Sequence, residues 1–331
     1  MSANTHFENA TIDLSLKLAE TIRPGIGTMA SSSIVGEANS GDYTFAIDAV
    51  AEAALGRFVD EVAKSAGLRL AYYSEDRGLV EVHSNPEYVF VVDPIDGTRP
   101  AICGLESCCV SAALAPLNGN SACLSDVVAA CLVEIKSGVI ISAAAGAGVC
   151  VRSSSRSKAV PVNGSCLSRK TDIEKMFWAT EMCGRPSQAT QAVLGELINA
   201  SSFAAACFVF NSASYAISRV VLGQLDAYAD VFAALLRRAN AARWESLSKS
   251  LFHGKVFGLF PYDIAAAAFI AEEAGAFVTD AQGNSLGNLE LLDSSSNAIT
   301  SAVIAANKEL GQHILGYLER GFRRADGLTF T

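Results

Sequence analysis

Ten residues, VVDPIDGTRP at 91–100, set the tightest limit on how this chain can fold. The run YVFVV that leads into them reads as a strand buried on both faces. Strand interiors do not tolerate Pro, so Asp93 is expected to end the strand and Pro94 to prevent its continuation. Asp96-Gly97-Thr98 then turns the chain into a helix start, and Pro100 suits a first helical turn. Two carboxylates thus stand on one sharp corner beside the N–H groups of Gly97 and Thr98. A corner of this kind suits a hard divalent cation, and N–H groups at a helix start suit a phosphate. Alone, the pattern fits an Asx-type turn with helix caps equally well.

Further acids gather around the corner. YYSEDRG puts Glu75 and Asp76 at the end of the preceding strand, where strand pairing could set them beside Asp93. Asp48 and Glu52 lie one turn apart on a helix expected over 44–64 and closed by Gly67, with Glu52 on a solvated face. PYDIAAAAFIAEEAGAFVTDAQG predicts another helix, with Asp263 at its N-cap and Gly275 past its end.

Elsewhere, apolar spacing predicts a helix after residue 8 that stops near Pro24-Gly25. CCVSAALAPL, VVAACLVEI, GVIISAAA and GVCVRS predict an antiparallel meander. Beyond a boundary near 160–172, strands (176–180, 205–210, DAYADV, 276–279, 301–305) alternate with helices (188–200, 212–222, 308–320). That alternation predicts an α/β unit over 166–331 after an α+β unit over 1–165.

With 331 residues, half of them hydrophobic, the chain can build two cores. A net charge of −9 argues against nucleic acid or an anionic membrane as partner. The first twenty residues lack the pattern of a secretory leader, and no apolar run is long enough for a bilayer. All nine cysteines fall between Cys103 and Cys207 with no C-x-x-C pair, which predicts free buried thiols in a reducing cytoplasm.

DPIDGT, the upstream SED, the helix start GDYTFAIDAVAE and the later YDIAAAAFIAEEAGAFVTDAQG together resemble the inositol monophosphatase family over about residues 10–310. LGQLDAYADV and SAVIAAN fit as well. That family belongs to the Mg²⁺-dependent, lithium-sensitive phosphatase superfamily, with fructose-1,6-bisphosphatases and 3′-phosphoadenosine phosphatases as relatives. The resemblance implies a layered α-β-α-β-α sandwich, two or three Mg²⁺ ions per site, and a homodimer. It implies metal ligation by Glu75, Asp93, the Ile95 carbonyl, Asp96 and Asp263. It makes Gly97 and Thr98 the phosphate binders through their N–H groups. Asp48, Glu75 and Thr98 would act on the attacking water, and Ser212, Ala213 and Asp230 would contact the alcohol part of the substrate.

The chain departs from the family pattern in three places. Arg99-Pro100 replaces the usual Asn-Phe after DGT, and Tyr262 replaces Trp before the last aspartate. Asp230 and Asp263, normally close in sequence, are separated by an insertion over 231–260. The insertion carries five Lys/Arg (Arg237, Arg238, Arg243, Lys249, Lys255) against the single acid Glu245. It is expected to form a basic flap at the pocket rim that recognises the substrate away from the scissile phosphate.

The whole reads as a cytoplasmic phosphomonoesterase for a small phosphorylated alcohol such as inositol monophosphate. Fructose 1,6-bisphosphate or a 3′-phosphonucleotide are alternatives. The rival of another class is a non-catalytic regulatory binding protein.

Overall fold

The computed structural model describes residues 3–38, 43–162, 164, 166–238, 258–295 and 297–326. Residues 239–257 of the insertion, with Arg243, Glu245, Lys249, His253 and Lys255, lie outside the described residues.

The first layer is helical. α1 (Ala3–Ile22) and α2 (Ala46–Ala66) pack together, and Gly67 closes α2 in the left-handed conformation at φ 65°. Their inward stripe (Leu14, Leu18, Leu55, Val59, Val62) is buried against one face of an eight-stranded sheet. A two-stranded ribbon, β1 (Ile34–Glu37) and β2 (Tyr43–Phe45), leads into α2, so that helix begins at Ala46.

The large sheet contains β3 (Leu70–Ser74), β4 (Gly78–Glu81), β5 (Tyr88–Asp96), β6 (Cys109–Pro116), β7 (Ala129–Glu134), β8 (Ile140–Ala144), β9 (Gly148–Arg152) and β10 (Val160–Val162). Its order is β10-β9-β8-β7-β6-β5-β3-β4, so the expected meander is one continuous antiparallel run. β3 and β5 are the parallel pair, with Ser74 opposite Val92. β6 and β7 are buried on both faces because helices cover the sheet on both sides. Pro94 does not stop β5. The strand runs on to Asp96, and the register against β6 shifts between Asp93 and Asp96. An irregularity of this kind is where a strand accommodates the missing N–H of proline.

The second sheet has five strands in the order β12-β11-β13-β15-β14. These are β11 (Phe177–Thr180), β12 (Ala206–Val209), β13 (Ala227–Asp230), β14 (Phe277–Thr279) and β15 (Ala302–Ala305). α4 (Ser187–Ser201) and α8 (Lys308–Asp326) cover its outer face. α8 buries Leu310, Ile314, Leu318 and Phe322, one per turn, and leaves its charged side to solvent.

Between the sheets lie α5 (Ala213–Val221) and α7 (Pro261–Glu273). α7 is buried almost all round, from Ile264 to Ala271, and its alanines let both neighbours approach closely. The layers are thus helix, sheet, helix, sheet, helix, and the middle core joins residues of both sheets. The short α3 (Thr98–Ile102) and α6 (Phe232–Arg238) complete the α-helices of the described residues.

No helix of the described residues is long and apolar enough to cross a membrane. The nine cysteines are free, but Cys103 and Cys166 are exposed, which corrects the expectation of buried thiols at those two.

Candidate active site

The acids meet at the carboxyl ends of strands. Since Ser74 pairs with Val92, the next residue, Glu75, comes out beside Asp93. Glu75, Asp93, the Ile95 segment, Asp96, Gly97, Thr98, Arg99, Ser212, Ala213 and Asp263 line one cavity of about 130 Å³. A smaller cavity of about 20 Å³ shares Glu75, Asp93, Ile95 and Thr98 with it and is lined also by Asp48, Glu52 and Asp76. Every metal and phosphate residue expected from the sequence is in one wall or both.

Two helix starts supply the flanking acids in the same way. Asp48 is the third residue of α2, and its Oδ2 accepts from the Phe45 N–H at 2.9 Å. Asp263 is the third residue of α7, and its Oδ2 accepts from the Phe260 N–H at 2.7 Å. The expected N-cap at Asp263 is corrected to Phe260; the carboxylate reaches back instead and satisfies an otherwise unpaired N–H. In each case one carboxylate oxygen is fixed by the helix. Thr98 Oγ1 lies 3.0 Å from Asp48 Oδ1 and 3.1 Å from the Ile95 carbonyl, and donates its one proton to one of them.

Asp96 is held from the other half of the chain. Its Oδ2 accepts from Ser212 Oγ at 2.9 Å and from the Ser214 N–H at 2.6 Å. Burial pushes its carboxyl up to about 6, against the pull of those Ser212 and Ser214 bonds. Asp93 is raised well above the usual carboxylate range by burial, then by the charges of Asp96, Asp263 and Glu75. Asp263 is raised by desolvation, then by Asp96 and Glu75. These acids repel one another, and a hard dication is the group that relieves such crowding.

The donors fit that ion. They are carboxylate oxygens and one backbone carbonyl, all hard, with no thiolate or imidazole among them. Among the described residues, no three Asp, Glu, His or Cys side chains close into a ready-made cage; the acids share a wall instead.

Gly97 is required by geometry. Its φ is 91°, and a Cβ there would lie 2.5 Å from the Ser107 carbonyl oxygen and 2.9 Å from Ser212 Cβ. Gly97→Ala is expected to lower stability by about 2–3 kcal/mol, roughly 1–2 of it from the left-handed backbone alone. Urea unfolding measures this; an unchanged midpoint contradicts the tight corner.

Three expectations are corrected. Glu52 is not on a solvated face. It is 6% exposed, accepts from Ser74 Oγ at 3.0 Å, and burial pushes its carboxyl up to about 7. Asp230 does not line the main cavity. Its Oδ2 accepts from Arg185 Nη2 at 2.6 Å and Nε at 3.0 Å, and its Oδ1 from the Phe232 N–H at 2.9 Å. Arg185, absent from the sequence reading, lines the cavity in its place. Arg237 and Arg238 do not form a basic rim: Arg237 donates to the Ile299 carbonyl, and Arg238 pairs with Asp326 at 2.6 Å. Among the described residues, the cations on the main cavity are Arg99 and Arg185.

The chain belongs to the inositol monophosphatase family, whose model matches residues 3–321. Members of the family are Mg²⁺-dependent phosphatases of phosphate monoesters. The chain is 25% identical over 320 residues to a fructose-1,6-bisphosphatase/inositol-1-monophosphatase from Methanothermobacter thermautotrophicus, covering 95% of this chain and 97% of the relative. Among solved structures it resembles an inositol monophosphatase–fructose 1,6-bisphosphatase, with TM-score 0.67, 21% identity, and 94% and 99% of the two chains covered. It also resembles the extragenic suppressor protein SuhB of Bartonella henselae, with TM-score 0.67, 17% identity, and 96% and 99% covered. At these identities the structural likenesses show the fold alone.

Proposed function

We propose that this phosphatase hydrolyses a small phosphorylated polyol, inositol monophosphate or a related sugar phosphate, with Mg²⁺ held by Glu75, Asp93, the Ile95 carbonyl, Asp96 and Asp263. The observation that carries the reading is the meeting of these donors with Gly97 and Thr98 in one cavity. The donors divide over two adjoining cavities, which favours more than one ion.

When bound, Mg²⁺ supplies a Lewis acid that lowers the pKa of water and offsets charge on phosphoryl oxygens. The protein does the rest. The N–H groups of Gly97 and Thr98, at the first turn of α3, have no helical carbonyl to bond and take the phosphoryl oxygens. Thr98 Oγ1 gives its proton toward Asp48 Oδ1 and is then left to accept from the attacking water, which fixes the direction of attack. Asp48 and Glu75 are the carboxylates that would accept the proton the water loses. Ser212 Oγ and the Ser214 N–H keep Asp96 from swinging away.

Fructose 1,6-bisphosphate is the second reading, favoured by Arg99, a cation on the cavity where the family usually has Asn. The homodimer is proposed on the exposed apolar residues around β12, the edge strand of the second sheet among the described residues, namely Phe208, Val209, Phe203 and Leu105. Sedimentation at micromolar concentration checks it.

A panel of phosphate esters with Mg²⁺, with and without Li⁺, tests the substrate class. Polyol phosphates should be hydrolysed and Li⁺ should inhibit. Hydrolysis of 3′-phosphonucleotides alone refutes the polyol assignment. Mg²⁺ should also raise the melting temperature. Ligand linkage contributes about 2.7 kcal/mol when free ion is 100 times its dissociation constant. Differential scanning fluorimetry reads this, and an unchanged melting point at saturating Mg²⁺ argues against a site formed in the free protein.

A further inference from the structure

The far wall of the catalytic cavity carries a carboxyl group with no role so far. Glu181 follows β11 directly, lines the cavity, and is 7% exposed. The Ser212 N–H donates to it. Its Oε1, however, is buried and has no hydrogen-bond partner among the described residues. Arg185, four residues on, does not supply one. That guanidinium gives Nε and Nη2 to Asp230 and Nη1 to the Cys183 carbonyl. The buried Tyr228 hydroxyl is without a hydrogen-bond partner among the described residues as well.

An orphaned buried polar oxygen costs about 1–3 kcal/mol, and native proteins keep few of them. Packing alone does not explain a glutamate here, since an apolar side chain of similar length would fill the volume without that cost. The cavity wall is where such a group can find its missing partner in a ligand. We propose that Glu181 is a specificity-determining residue: it hydrogen-bonds a free hydroxyl of the alcohol part of the substrate and so selects polyol phosphates over esters with no such hydroxyl.

This rests on the phosphatase reading above. Two further points agree with it. The wall that holds Glu181 belongs to the second sheet, opposite the strand ends that carry Glu75 and Asp93, so the alcohol lies between the two walls. Burial also holds the Glu181 carboxyl well above the usual carboxylate range. A carboxyl raised in this way takes up a proton more readily, and the protonated form both donates and accepts, as an alcohol does.

The test compares kcat/KM for inositol 1-phosphate and for phenyl phosphate, which has no free hydroxyl, in wild type, Glu181→Gln and Glu181→Met. The ratio of the two should fall about tenfold or more in Glu181→Met and stay within roughly threefold of wild type in Glu181→Gln, whose amide also donates and accepts. Glu181→Ala replaces Glu181→Met if the latter does not fold. Equal losses on both esters overturn the proposal and assign Glu181 to support of Ser212 and, through it, Asp96. An unchanged ratio in Glu181→Met overturns it as well. Wild-type protein that releases phosphate from neither ester refutes the phosphatase reading itself, whereas turnover of both with no change on substitution refutes only the role of Glu181.

Discussion

Asp93→Asn should reduce phosphate release by at least roughly a hundredfold while the protein stays folded. Asp93 lies in the buried β5 and feels the charges of Asp96, Asp263 and Glu75. Asparagine keeps the size and can still accept from the Ile95 N–H, which bonds Asp93 Oδ1 at 2.9 Å. It loses the charge that holds a hard cation. A Lewis acid contributes several kcal/mol to the barrier, and each 1.36 kcal/mol is tenfold in rate. Since the substitution also removes one member of a repelling group, the metal-free protein should melt no lower than wild type. Turnover at saturating Mg²⁺ and melting with and without the ion measure both halves. Wild-type turnover in the variant removes Asp93 from the metal site.

Arg185→Met should lower stability by about 3–5 kcal/mol, the range for breaking one partner of a buried ion pair. Both side chains are almost fully enclosed, 7% exposed for Arg185 and 1% for Asp230. Loss of the guanidinium leaves Asp230 with the Phe232 N–H and no cation. The double replacement Arg185→Met/Asp230→Leu should cost less than the sum of the two single changes, because neither charge is then stranded. Urea unfolding of the four proteins gives the coupling. Strict additivity would mean that the pair does not hold the cavity wall together.

The corner at Asp93–Asp96 was legible because local chemistry dictates it: an apolar run, a proline and a glycine leave the chain few ways to continue. Its neighbours were legible to the extent that strand pairing is local. Glu75 is placed by the β3–β5 register, and only one helix separates that pair from Asp48. Glu52 was misread because helical spacing tells which residues share a face, not which face is covered; Ser74 and Arg77 cover it from 22 and 25 residues away. Asp230 was misread for the same reason, its partner Arg185 being 45 residues distant. The cations of α6 looked like a substrate-binding rim because their partners, Ile299 and Asp326, are remote in sequence. Glu181 did carry a signal. Like Glu75 and Asp93, it is an acid at the end of an apolar strand, FWATE beside YYSE and VVD. Ligands in layered α/β folds gather outside such strand ends.

The most direct test of the account is phosphate release from a polyol phosphate by protein stripped of metal with a chelator and then titrated with Mg²⁺. Release should rise from background to saturation as Mg²⁺ is added, while circular dichroism shows the same fold throughout. Equal release before and after the ion is added, or no release from a folded protein at any Mg²⁺ concentration, would contradict the assignment of the acidic corner as a metal-dependent phosphatase site.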